Sequence, residues 1–160
     1  MKYYQFLMTG DDYFHKVPRV NLITKACLIF FTLKFMSIFK KTGGNESLKC
    51  LEKIKPITNY NFSNKQEKYL FARKVNSFVQ RWININHKQA LCLERAVVIC
   101  AALRYVGLPT QVVIGRRSTM MSVLDFEFHA WVELEGVPVN DKLSYKQLCM
   151  ETLRVPREIG

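Results

Sequence analysis

The chain has 160 residues, of which 49% are hydrophobic and 12% aromatic, and its formal net charge is +11. A chain of this length fits one folded domain, and this apolar content excludes a disordered tail. The positive charge favours acidic peptides, nucleic acid or anionic lipid as partners, without selecting among them.

The cysteine usage indicates a reducing compartment. The cysteines are odd in number, and none stands in the Cys-x-x-Cys or Cys/His spacing of a zinc site; they are Cys27, Cys50, Cys92, Cys100 and Cys149. Neither a disulfide framework nor a metal or other cofactor is therefore expected. No signal peptide is indicated, because the first apolar run follows several charged residues and lacks a cleavage pattern, so we expect a cytoplasmic location.

The most apolar segment, residues 21–41, predicts a helix. Leu22, Ala26, Ile29 and Leu33 are spaced as one helical stripe. Two lysines interrupt the segment, which leaves it well short of the roughly 20 apolar residues that a membrane span needs. A helix that faces the core or a partner is favoured, and a peripheral membrane contact through residues 21–41 is the alternative.

The remaining pattern predicts helices followed by strands. Gly43 and Gly44 are expected to break the first helix, and residues 42–63 to form a connection with a short helix. Helical spacing resumes in "NKQEKYLFARKVNSFVQRWI". A further helix starts near Cys92 and ends at Gly107, and "TQVVIGRR" then predicts a strand. The fold class is therefore α+β, with a small antiparallel sheet. We divide the chain into a helical N-terminal region, residues 1–80, that packs on or extends a core of residues 81–160.

The segment "FHAWVELEGVPVND", residues 128–141, predicts an antiparallel hairpin that turns at a Glu-Gly pair. A two-residue loop would place Ala130 opposite Asp141 and leave His129 on the other face of the sheet. A three-residue loop with Gly136 in the left-handed conformation would place His129 opposite Asp141, with Cβ atoms about 5 Å apart. We predict the three-residue loop, because it lets the carboxylate orient the imidazole.

A nucleophile for this pair is found at Cys92. It opens the predicted helix, where unpaired backbone N–H groups and the helix dipole favour a thiolate. Pairing with His129 would complete its activation, and the Cys92 backbone N–H would point into an oxyanion hole. Cys100, two turns later on the apolar stripe, is expected in the core.

Two segments together, "CLERAVVICAALRYVGLPTQVVIGRR" and "FHAWVELEGVPVND", resemble the transglutaminase-like cysteine protease that processes lasso-peptide precursors. The family pattern is Cys-Leu-x-Arg followed by Ser or Ala, a leucine-rich helix, a Gly-Ile/Leu-Pro turn, a Val-Ile-Gly strand and His-Ala-Trp-Val-Glu leading to Asn-Asp. Its elements occur here in order over roughly the last 70 to 80 residues.

The resemblance implies a papain-like core in which Cys92 is the nucleophile, His129 the general base and acid, and Asp141 the orienting carboxylate. It implies cleavage of the leader from a ribosomally made precursor peptide, after which a separate ATP-dependent lasso cyclase closes the ring. The mainly helical region ahead of Cys92 favours the stand-alone form of the protease, which works with a separate leader-recognition protein.

Five further residues are candidates for supporting roles. Gln89 or Asn86 would lend a side-chain amide to the oxyanion hole. Arg95 would pair with Glu133 or another buried carboxylate, and Trp131 would wall the site on the His129 face.

Two other functions stay open. A transglutaminase or acyltransferase would use the same triad with an amine as acceptor. A non-catalytic scaffold or membrane-surface protein would rely on the apolar helix and the positive charge. Nucleic acid is not expected as a partner, because the chain lacks the aromatic-basic motifs of RNA and single-strand binding modules.

Overall fold

The computed structural model describes residues 17–117, 128–141 and 149–156. Within these ranges, three helices precede the strands of one antiparallel sheet, a combination that confirms the predicted α+β class. The elements are α1 (Leu22–Leu51), α2 (Lys65–Asn86), α3 (Cys92–Tyr105), β1 (Thr110–Arg117), β2 (Phe128–Leu134), β3 (Val137–Pro138) and β4 (Cys149–Val155). The loop expected after β1 lies outside the described residues, and the proposed division near residue 80 stays a prediction.

Helix α1 covers the predicted apolar segment and continues beyond it. Its first turn is capped by Asn21, whose side chain accepts a hydrogen bond from the Thr24 N–H at 2.6 Å. The predicted break appears as a kink at Gly43, where φ is 78°, a conformation that costs glycine little because it has no Cβ. The helix then resumes to Leu51.

The two faces of α1 differ in their surroundings. One face is buried in the core through Leu28 and Phe35, whereas Leu22, Ile23 and Phe30 are more than two-thirds exposed. Contrary to the expectation that its lysines leave it too short for a membrane span, α1 is able to cross a membrane by length and composition, and 28% of its most apolar window is buried. The helix therefore belongs to the core on one side and presents an apolar surface on the other.

Helix α3 is the centre of the core. Seven of its consecutive residues, from Val97 to Leu103, are fully buried between the other helices and the sheet. The sequence favours this position because the helix is apolar on nearly every side. The residue at its N-terminus is thereby held against a rigid scaffold.

The sheet has the order β3-β2-β1-β4, with all neighbours antiparallel. Strand β1 pairs with both β2 and β4, and Gly115 of β1 lies opposite His129 of β2. The sequence analysis did not predict β4, which forms the edge beside β1. This topology places the first residues of β2 beside the start of α3.

The hairpin between β2 and β3 turns in two residues, so the predicted three-residue loop was wrong. Leu134 pairs with Val137, and the turn residues Glu135 and Gly136 both have positive φ, 51° and 79°. These dihedrals are those of a type I′ turn, whose twist matches the twist of the flanking strands. By register alone, Asp141 would therefore face away from the histidine.

Candidate active site

Cys92 is the first residue of α3 and is partly buried. The N-cap residue, Leu91, offers no side-chain hydrogen bond to the first turn, whose backbone N–H groups have no acceptor within the helix. The backbone N–H groups of Ala130 and Leu93 donate hydrogen bonds to the sulfur. These donors favour the thiolate over the thiol.

His129 and Asp141 meet despite the two-residue turn: Nε2 of the imidazole and Oδ2 of the carboxylate are 2.5 Å apart. Strand β3 ends at Pro138, and the side chain of Asn140 then accepts the Val132 N–H at 2.7 Å. The carbonyl oxygen of the preceding residue, which would accept this N–H in a continued ladder, is therefore not needed as its partner. The chain bends, and Asp141 turns towards the histidine face.

The imidazole links the thiol to the carboxylate. Because Nε2 bonds Asp141, Nδ1 is the ring nitrogen left for the hydrogen bond with Cys92. The bond to Asp141, supported by the bond to Cys92, raises the pKa of His129 to about 9 against the effect of burial. The hydrogen bond from His129 is the largest effect lowering the pKa of Cys92. The geometry thus favours a thiolate–imidazolium pair.

Cys100 differs from Cys92 as expected. It is fully buried, its sulfur lies 3.4 Å from the Thr110 carbonyl oxygen, and burial raises the pKa of its thiol to about 12. It is a core residue rather than a nucleophile. Among the residues that the structure describes, no cluster of three or more His, Cys, Asp or Glu side chains is placed to hold a metal ion.

The triad opens into a cleft of about 390 Å³ between α2, the start of α3 and the β2–β3 hairpin. Four side-chain amides line it, which the sequence analysis did not single out: Asn76, Gln80, Asn84 and Asn140. Three of them repeat at four-residue spacing along α2 and therefore share one helix face. This face was recognisable in the sequence only as the polar side of an amphipathic helix.

Gln80 differs from the other amides of the cleft because its side chain makes no hydrogen bond within the described residues. Asn84 and Asn140 already accept hydrogen bonds through their side-chain oxygens, from Arg95 and from the Val132 N–H. Gln80 lines the cleft and has no side-chain hydrogen bond to any residue in the described ranges. Its N–H₂ group is therefore available to a substrate oxygen.

Asn86 and Gln89 do not line the cleft. Helix α2 extends through Asn86, whose amide donates to the Trp82 carbonyl oxygen at 2.8 Å in the same helix. Gln89 is exposed in the short link to α3. Proximity in sequence to Cys92 therefore does not bring either amide to the site.

Arg95 lines the cleft, but it does not pair with Glu133. Its guanidinium donates to the carbonyl oxygens of Ala90 and Lys88 and to the side chain of Asn84, at 2.8, 3.0 and 2.6 Å. These bonds tie the link before Cys92 to both helices. Arg95 is thus placed to position the nucleophile.

Glu133 has a different cation as partner. Its carboxylate is fully buried and lies 2.9 Å from Nη1 of Arg154 on β4, the strand that the sequence analysis missed. The indole N–H of Trp131 also donates to it at 2.9 Å. This network fixes the Trp131 ring, which stacks on the His129 ring with centroids 6.1 Å apart.

The space for the indole ring is provided by Gly115. A Cβ atom built at this position would lie 2.9 Å from Cη2 of Trp131 and 2.9 Å from Cβ of Cys149. Trp131 therefore packs against the histidine on the same strand face, but it does not line the cleft and so does not wall the site as predicted.

Comparison with known proteins agrees with this architecture. Residues 49–150 match the transglutaminase-like superfamily, and this range covers more than half of the chain and includes Cys92, His129 and Asp141. No curated protein and no solved structure gave a match. Proteins with this domain are typically cysteine proteases or acyltransferases. Because this match covers more than half of its residues, the chain belongs to the transglutaminase-like superfamily.

Proposed function

We propose that this protein is a cysteine endopeptidase that removes the leader peptide from a lasso-peptide precursor. The observation that carries the proposal is the hydrogen-bonded series Cys92–His129–Asp141 at the wall of an open cleft. The motifs shared with lasso-peptide proteases support a lasso-peptide precursor as the substrate. The described residues ahead of Cys92 form α1 and α2 rather than a β-rich recognition module, so the proposal includes a separate recognition protein and a separate ATP-dependent cyclase.

In the proposed reaction, the Cys92 thiolate attacks the carbonyl carbon of the scissile peptide bond. The negative oxygen of the tetrahedral intermediate accepts hydrogen bonds from the N-terminus of α3 and from Gln80. His129, as imidazolium, gives its proton to the departing amine, and a thioester remains on Cys92. Neutral His129 then takes a proton from water, whose oxygen displaces the thiol and leaves a new carboxylate.

The proposal is tested by incubating precursor and recognition protein with the wild-type chain or with Cys92→Ala, and following leader release by mass spectrometry. We expect release by the wild type and none by the variant. Cys50→Ala is the matched control, because Cys50 does not line the cleft. Cleavage by Cys92→Ala would overturn the assignment.

Acyl transfer is the second candidate, because the same triad forms the same thioester. An amine, rather than water, would then take the acyl group. Adding a labelled primary amine to the assay separates the two reactions: hydrolysis yields a free leader carboxylate, whereas transfer yields a stable labelled amide.

A membrane-surface role has support in the exposed face of α1. Leu22, Ile23 and Phe30 are 81%, 76% and 71% exposed, and no acidic residue occurs between residues 17 and 45. An apolar stripe among cations suits the surface of an anionic bilayer. Co-sedimentation with anionic but not zwitterionic vesicles, lost in Phe30→Glu, would support membrane association of an otherwise cytoplasmic protein.

A further inference from the structure

A second cavity, of about 340 Å³, adjoins the catalytic cleft on a neighbouring face of α2. Ser77 and Arg81 line both cavities, and because they are four residues apart on one helix they form a common ridge. The second cavity lies between α2 and the beginning of α1. We call it the basic groove.

The floor of the basic groove is apolar and its rim is cationic. Leu28 and Val75 are buried beneath it, with Val20 and Phe78 beside them. The other lining residues are Ser77 and four cations, with no acidic residue among them: Arg19, Lys25, Lys74 and Arg81. None of the four cations forms an ion pair with a carboxylate in the described part of the chain.

Among the described residues, nothing covers the apolar floor and no carboxylate pairs with the rim cations, and these two properties define the complementary ligand. The ligand must carry apolar side chains for the floor and carboxylates for the rim. Continuity with the catalytic cleft makes the polypeptide whose bond is cleaved the natural occupant. We propose that the basic groove binds a segment of the substrate that is both acidic and apolar, an inference that rests on the proposed peptidase function.

The test is direct binding, measured by fluorescence anisotropy with full-length Cys92→Ser, which cannot turn the peptide over. Three labelled peptides of equal length serve as probes: one alternates leucine with glutamate, one leucine with glutamine, and one serine with glutamate. We expect the first to bind at least tenfold more tightly than the others.

Charge reversal then locates the site. Arg19→Glu with Lys74→Glu should weaken binding of the leucine–glutamate peptide about tenfold, with a smaller effect at high salt. Lys53→Glu with Lys55→Glu is the matched control, because both lysines are exposed and line neither cavity. This control should change the dissociation constant less than twofold.

Several results would overturn the inference. Equal weakening by both double variants would show a general charge effect, and equal binding of the serine–glutamate peptide would show that the apolar floor plays no part. Cleavage of the precursor without selective peptide binding would reject the groove and leave the peptidase intact. Selective peptide binding without any cleavage by the wild-type protein would reject the peptidase function and leave the groove intact.

Discussion

The side chain of Asn140 accepts the backbone N–H of Val132, which a longer β3 would have paired through its own backbone. Because a side chain takes the place of the backbone acceptor, the strand ends early without leaving a buried donor unpaired. It also releases Asp141 to reach His129. The triad therefore depends on an asparagine that performs no chemistry.

Replacing Asn140 with alanine should impair both stability and activity. The Val132 N–H is buried and would lose its acceptor, at a cost of about 1–3 kcal/mol. Asp141 would no longer be fixed, so turnover should fall at least tenfold as a rough expectation. Denaturant unfolding and precursor cleavage measure the two effects. Asn140→Asp keeps the acceptor and should retain most of the stability; an equal loss in both variants would contradict this role.

Asp141→Asn should lower the turnover number about 10²- to 10⁴-fold, and it should also reduce stability below about pH 9, where the bond to Asp141 favours protonated His129 in the folded state. An amide at this position cannot stabilise the imidazolium and favours the wrong tautomer of the imidazole. The pKa of His129 should fall from about 9, since its bond to Asp141 is the largest cause of the rise. NMR titration of the histidine ring checks the second effect, and an unchanged titration would reject it.

Alkylation by iodoacetamide tests the thiol without any assumption about substrate. The pKa of Cys92 lies below its ordinary value of 9.0, so half of its maximal alkylation rate should be reached at a pH below 9. His129→Ala removes the largest cause of this shift and should move the midpoint upwards. Mass mapping distinguishes Cys92 from the other cysteines. Identical midpoints in wild type and variant would exclude the thiolate–imidazolium pair.

Peptide hydrolysis has a different dependence on pH. It needs both the Cys92 thiolate and a proton on His129 for the departing amine. Activity should therefore rise through the lowered pKa of Cys92 and fall above about pH 9, as His129 loses its proton. A rate of thioester formation that stays constant well above pH 9 would argue against His129 as the acid.

Gln80→Ala should reduce turnover about 10²- to 10³-fold, the usual effect of removing one oxyanion donor. The rate of iodoacetamide alkylation should not change, because no oxyanion forms in that reaction. Gln89→Ala is the matched control, since Gln89 is exposed outside the cleft. Equal activity of the two variants would remove Gln80 from the oxyanion site.

Arg154→Met should destabilise the fold by about 3 kcal/mol, measured by urea unfolding. The change leaves the fully buried Glu133 carboxylate without its cation. We expect a destabilisation at the lower end of the range usual for breaking a buried ion pair, because Arg154 itself is partly exposed. The double variant Arg154→Met with Glu133→Gln removes the buried charge and should recover part of the loss. No recovery would show that the ion pair is not the cause.

Local patterns in the sequence predicted much of this molecule. Helical spacing located α2 and α3, the glycine pair indicated the kink in α1, and the cysteine at a helix start and the histidine on a strand were found from their immediate neighbours. The register of the hairpin was predicted wrongly, because the three-residue loop was chosen to bring His129 to Asp141. The contact between His129 and Asp141 depends instead on the Asn140 side chain, whereas rules for strand pairing consider only backbone acceptors.

The supporting residues were harder to predict, since they come from distant parts of the chain. Arg95 was matched to Glu133 by charge, but β4, which carries the true partner, was not foreseen. Gln89 and Asn86 were chosen for nearness in sequence, whereas Gln80 reaches the cleft from the preceding helix. A single sequence does not indicate which polar helix face will border the active site.

Gly115 affects the position of the imidazole by leaving room for the Trp131 ring, not by forming a bond. A single methyl group at this position would press on the outer edge of the Trp131 ring, and that ring supports His129. Every donor and acceptor of the triad would still be present, yet the proton path from sulfur to carboxylate would be misaligned. A residue without a functional side chain, on β1, therefore controls the alignment of a triad that is completed beyond β3, two strands away in the sheet.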